Sequence, residues 1–160
     1  MEADERRATS VSERRTIFQG GRRPYDRPGQ HPPVLVAESY EPARTPCAAY
    51  LTLLNFDVAE SGRPREAVAL IDAGWQPHVI LADPASADAV THRLAGWNGV
   101  VRPRLIVMSG SPDEARQRAS GLILKPFRLS TMMRAIRSAL RRPLGPVAPA
   151  ARPFRPRSAR

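Results

Sequence analysis

Residues 77–84 read PHVILADP: four apolar residues, Val79 to Ala82, between turn-forming ends, closing on one carboxylate, Asp83. A short apolar run bounded by such turn signals reads as a strand buried on both faces. Strands of this kind belong to parallel sheets covered by helices. Those sheets take their ligands beyond the carboxyl ends of the strands. The stretch therefore predicts a fold class and also a place for chemistry, with Asp83 standing at that place.

The same pattern extends in both directions. Val34 to Ala37 forms a first apolar strand that ends at Glu38 and Ser39. Glu41 to Asn55 is helical but holds two prolines. Thr45-Pro46 fits an N-cap followed by proline at the first helical position, which predicts a late start with Ala48, Leu51 and Leu54 inward. Phe56 to Ala59 is a second strand, and Arg65 to Ala73 a helix burying Ala67, Leu70 and Ile71 and stopped by Gly74. Beyond Asp83, Asp88 to Trp97 reads as a helix, Leu105 to Met108 as a fourth strand, and Asp113 to Ala119 as two helical turns at most. Leu122 to Leu124 is a fifth strand running into Lys125-Pro126-Phe127. Leu129 to Leu140 is an amphipathic last helix with Leu129, Met132, Met133, Ile136 and Leu140 on one side. Five alternations of strand and helix predict an α/β domain: a doubly wound, five-stranded parallel sheet with helices on both faces and right-handed crossovers.

Composition bounds what surrounds this domain. The chain has 160 residues, 42% of them hydrophobic, and the apolar residues concentrate between Val34 and Leu140. Residues 1–33 and 143–160 are rich in Pro and Arg without apolar periodicity. They read as disordered tails flanking a domain over 34–142. The net charge is +10, and the tails hold more than half of it: seven Arg against five acids in 1–33, four Arg and no acid in 143–160. No run approaches the roughly 18 apolar residues of a membrane span, and the charged N-terminus lacks a secretory apolar segment. Cys47 is the only cysteine, and His31, His78 and His92 have no metal-ligand spacing, which excludes disulfide frameworks and thiolate or histidine metal sites. These features predict a cytoplasmic protein. Of 25 basic residues only Lys125 is lysine, so that position stands out against an arginine background.

The polar residues just beyond the strands form the candidate site. They are Glu38 and Ser39 after strand one, Asp83 after strand three, Ser109 and Gly110 after strand four, and Lys125-Pro126 after strand five. A doubly wound sheet can bring these ends around one crevice. Two carboxylates, a hydroxyl and an ammonium suit phosphoryl transfer to a carboxylate. Asp83 would be the nucleophile, with Mg²⁺ held by Glu38 and Asp83. Ser109, Lys125 and the Gly110 amide would each serve a phosphoryl oxygen.

On VLVAES, PHVILADP, RLIVMSG and LILKPF, the segment from about Val34 to Arg142 resembles the receiver domain of bacterial response regulators in two-component signalling. The resemblance implies the flavodoxin-like receiver fold, here with a truncated fourth helix. It implies a non-enzymatic signalling protein that accepts a phosphoryl group on Asp83 from a histidine kinase or phosphotransfer protein and acts through altered protein binding. It also implies Mg²⁺ on Glu38 and Asp83, with Ser39 as a weak ligand and the backbone carbonyl of Ala85 as another. Three positions depart from the family pattern. Ser39 stands where the family has a second acid, Pro84 follows the acceptor without an N–H, and Leu122 replaces a common aromatic.

Two alternatives stay open. One is a pseudo-receiver that never takes phosphate and works by protein contact. The other is a basic nucleic-acid-associated protein using its Arg tails. No DNA-reading module fits within 143–160, so protein partners rank ahead of nucleic acid, and self-association into a homodimer is left open.

Overall fold

The computed structural model describes residues 32–99, 101–113 and 120–141. Five strands, β1 (Pro33–Ala37), β2 (Asp57–Ser61), β3 (Val79–Ala82), β4 (Arg104–Ser109) and β5 (Gly121–Leu124), form one sheet in the order β2-β1-β3-β4-β5. Every pairing is parallel. Four helices accompany them among the described residues: α1 (Glu41–Leu53), α2 (Pro64–Asp72), α3 (Pro84–Leu94) and α4 (Leu129–Arg141). This is the doubly wound architecture expected from the alternation. Both expected tails fall almost wholly outside the described residues, as does the short helix expected at 113–119.

The central strands are buried on both faces, and the two-residue period of the strand divides their side chains between two cores. Val34, Val36, Val79, Leu81, Ile106, Met108 and Ile123 point to the side covered by α1 and α4, where they meet Leu51, Met132 and Ile136. Leu35, Ile80, Ala82, Leu105 and Val107 point to the side covered by α2 and α3, where they meet Ala67, Ile71, Val90, Leu94 and Trp97. Each residue of β3 is fully buried, as PHVILADP predicts. Burial of a side chain such as Ile80 or Leu81 contributes about 1.5–3 kcal/mol.

Two helix starts differ from the sequence reading. Helix α1 begins at Glu41 instead of Pro46, with Pro42 in its first turn and Pro46 inside. Pro46 removes the donor that would serve the carbonyl four residues back, Pro42. Both prolines lie on the exposed side, where water can serve that carbonyl. Helix α3 begins at Pro84, four residues before the expected Asp88, because Asp83 itself is its N-cap. At the far end of α3, Trp97 is buried and its Nε1–H donates to the Val101 carbonyl. The indole lies so close to Gly99 that a Cβ there would meet the ring at 2.3 Å, so the glycine permits this packing.

Candidate functional site

Strand register sets the site. Ala37 pairs with Ala82, and Ala82 with Val107, so the next residues of β1 and β3, Glu38 and Asp83, emerge side by side. The Asp83 amide donates to the Ala37 carbonyl at 2.9 Å, and the Glu38 amide to the Ser61 carbonyl at 3.1 Å. Ser109 pairs with Leu124, and the Lys125 amide donates to the Ser109 carbonyl at 2.8 Å. All four sequence-selected strand ends thus converge at the carboxyl edge of one sheet.

Asp83 is 5% exposed, and both its carboxylate oxygens accept hydrogen bonds from the chain. Oδ2 takes the Ser39 amide at 2.9 Å and the Ser39 hydroxyl at 2.6 Å. Oδ1 takes the Ser86 amide at 2.8 Å. The Ser86 bond is the standard N-cap contact to the third helical residue, and Pro84 occupies the first helical position, where an N–H is not needed. Burial pushes the Asp83 carboxyl up, but the Ser39 hydroxyl and the Ser86 and Ser39 amides outweigh it and hold the group below its ordinary value. The Ser86 hydroxyl adds to the same field without forming a hydrogen bond of its own. Asp83 is therefore a carboxylate at neutral pH.

Glu38 is 1% exposed. Its Oε2 pairs with Lys125 Nζ at 2.5 Å, and its Oε1 accepts the Tyr40 amide at 3.1 Å. Arg44, on the first turns of α1, donates to the Glu38 carbonyl at 2.8 Å and faces Glu60 at 3.6 Å. It lies across Gly62, where an added Cβ would come within 2.9 Å of the guanidinium. Arg44 thus ties the Glu38 backbone to the end of β2. Ser109 is buried, and its Oγ accepts the Ser111 amide at 3.0 Å. Gly110 is exposed, with open space where a Cβ would stand.

Among the residues expected to act together, Ser39 reaches Asp83 and Lys125 reaches Glu38. Ser109 joins Lys125 through the backbone. Ser86 and Arg44 were not foreseen. Asp-Pro-x-Ser at 83–86 carries a readable helix-start signal for Ser86, whereas no local pattern announces Arg44.

The Mg²⁺ implied by the resemblance can be tested against these donors. Both oxygens of Glu38 and both of Asp83 already accept from protein groups. Ser39 turns its hydroxyl toward Asp83 as a donor. Ala85 lies in the first turn of α3, where carbonyls point along the helix away from Asp83. Among the described residues, no group of three or more His, Cys, Asp or Glu side chains gathers to hold a metal. Mg²⁺ binds through one or two carboxylates and completes its shell with water, so here it would have to share Glu38 with Lys125 and the Tyr40 amide, and Asp83 with the Ser39 and Ser86 donors.

Cys47 belongs to the core on the α1 side and is 2% exposed. Burial pushes its thiol pKa up, Glu38 pushes the same way, and Lys125 opposes. The thiolate is the reactive form, so Cys47 is expected to stay silent to a disulfide reagent at pH 8 in folded protein and to react at once in denaturant. Rapid labelling of folded protein would contradict this packing.

No family model matches the sequence, and no curated protein matches it. Solved structures do. The chain is similar to the receiver domain of the Erythrobacter litoralis response regulator PhyR, at 23% identity over 73% of this chain and 95% of that one, TM-score 0.62. It is similar to a response regulator receiver protein from Burkholderia phymatum, at 20% identity over 74% and 98%, TM-score 0.56. It is also similar to the receiver domain of the hybrid histidine kinase CckA, at 16% identity over 68% and 98%, TM-score 0.56. The fold is the response-regulator receiver fold, as the motifs predict.

Proposed function

We propose that this chain is a response-regulator-like signalling module that works by protein binding and does not need phosphoryl acceptance. One observation carries this reading: Asp83 is the N-cap of α3, and both its oxygens are occupied by Ser39 and Ser86 donors. A nucleophile must present a free lone pair to phosphorus; here Oδ2 directs both of its lone pairs at the Ser39 amide and hydroxyl, and Oδ1 gives one of its two to the Ser86 amide. The role is non-enzymatic, and the partners are expected among cytoplasmic two-component proteins, a histidine kinase or phosphotransfer protein first.

The test is intact mass after incubation of the full chain with Mg²⁺ and acetyl phosphate. Unmodified mass is expected. A phosphoryl adduct present in wild type and lost in Asp83→Asn would overturn the proposal.

That adduct would establish the second reading, phosphoryl acceptance on Asp83. The convergence of Glu38, Ser109 and Lys125 on the same sheet edge, with Asp83 ionised, favours it. In that reading an Asp83 oxygen bonds to phosphorus as the donor's bond to phosphorus breaks. The electron pair leaves with the donor, and attack through Oδ2 requires Ser39 to turn away first.

A further inference from the structure

We infer that the outer face of α4 is a docking surface for the phosphate backbone of duplex nucleic acid, independent of the Asp83 site. The charge of the chain is strongly polarised. Residues 128–160 hold nine Arg and no Asp or Glu, whereas residues 1–127 hold sixteen basic residues against fifteen acidic ones. Nearly the whole excess of +10 therefore belongs to Arg128, α4 and the chain after it.

Within α4, Arg134, Arg137 and Arg141 recur at spacings of three and four, which places them in one stripe with Ser130, Thr131 and Ser138. Arg134 and Arg141 are exposed. Arg137 is half-buried, and its Nε has no hydrogen-bond partner. Arg44, Arg63 and Arg93 each face a carboxylate. No ion pair involves Arg128, Arg134, Arg137 or Arg141 among the described residues. A cationic stripe without internal carboxylates leaves its guanidinium forks open for bidentate contact with phosphate.

The partner class follows from what the helix has left to offer. Its apolar side, Met132, Met133, Ile136 and Ala139, is buried against the sheet, so no apolar face remains to enter a lipid interface. From Arg134 to Arg141 the stripe runs about 10 Å along a rigid axis. A straight row of this kind suits the regular array of phosphates flanking a groove. It carries no aromatic platform for single strands, so contact is to the duplex backbone and indifferent to sequence.

The test is fluorescence anisotropy of a labelled duplex of about 20 base pairs against full-length protein over a salt series, where non-specific backbone binding is expected in the micromolar range at low salt. Affinity should fall steeply with salt. Arg134→Gln with Arg141→Gln should lower it about tenfold or more at low salt and flatten the log–log slope by nearly two, one phosphate contact per arginine. Both residues are exposed, so circular dichroism and melting temperature should match wild type. Three results overturn the inference: no binding by wild type; binding unchanged in the double variant; or displacement of the duplex by polyglutamate or by vesicles with 30% phosphatidylserine at equal charge, as effective as unlabelled duplex. The last would assign the stripe to an acidic protein or a lipid surface.

Discussion

Asp83→Ala is expected to destabilise the protein by about 2 kcal/mol, read as a shift in the urea midpoint with unchanged slope. Loss of an N-cap aspartate alone costs about 0.5–2 kcal/mol. Here the capped donor, the Ser86 amide, is buried, and a buried donor left unsatisfied costs about 1–3 kcal/mol, which sets the cap loss toward its upper end; the Ser39 amide and hydroxyl are exposed and can turn to water. Asp83→Asn should fall between: asparagine caps helices as well as aspartate, but its neutral amide attracts the Ser39 donors less strongly than a carboxylate does.

The pH dependence has a definite sign. The Asp83 carboxyl is held below its ordinary value despite burial, so its contribution is present above the unfolded-state value and is lost as pH falls through the lower folded-state value. Wild type should therefore lose stability below about pH 4, a step that Asp83→Asn lacks. Parallel pH–stability curves for the two proteins would show that Asp83 is not the carboxylate responsible. A loss in Asp83→Ala below 1 kcal/mol would remove the cap, and with it the observation on which the proposed function stands.

The sheet was legible because its signal is redundant. Val34 to Ala37, Val79 to Ala82 and Leu105 to Met108 are each too apolar to be anything but two-sided strands, and turn residues separate them. The placement of Glu38, Asp83, Ser109 and Lys125 at one edge follows from parallel topology alone, and the structure has it. The hydrogen-bond pairing inside the site was less legible. Four polar groups at neighbouring strand ends permit several pairings, and only the packing of the folded chain decides that Ser39 serves Asp83 while Lys125 serves Glu38. The start of α3 was readable but masked by a competing interpretation. Asp83-Pro84 is both a strand-end carboxylate and an N-cap with proline at the first helical position, and the structure uses the second meaning fully. Arg44 acts at a distance of six residues from Glu38, across a helix start, and no sequence period encodes that contact.

Lys125→Met is expected to cost about 2–3 kcal/mol, whereas Glu38→Gln should cost about 1. Breaking a buried ion pair by removing one partner typically costs 3–5 kcal/mol, because the surviving charge is stranded. The two sides of this pair are not equivalent. The Glu38 side chain is 2% exposed and would keep only the Tyr40 amide as a donor. Lys125 is 28% exposed, so water can replace a lost carboxylate, and the full penalty is discounted accordingly. The double variant Glu38→Gln/Lys125→Met should then be more stable than Lys125→Met alone, by about 1–2 kcal/mol, since it removes the stranded charge. Additive losses in urea unfolding would show that the two side chains do not share one interaction. The same cycle bears on phosphoryl chemistry. A lysine committed to Glu38 can neutralise a phosphoryl oxygen on Asp83 only by loosening that pair. A large coupling energy therefore opposes the second reading from the lysine side, as the Ser39 bonds oppose it from the aspartate side. A coupling energy near zero would leave Lys125 free to serve Asp83 and would shift the balance toward phosphoryl acceptance.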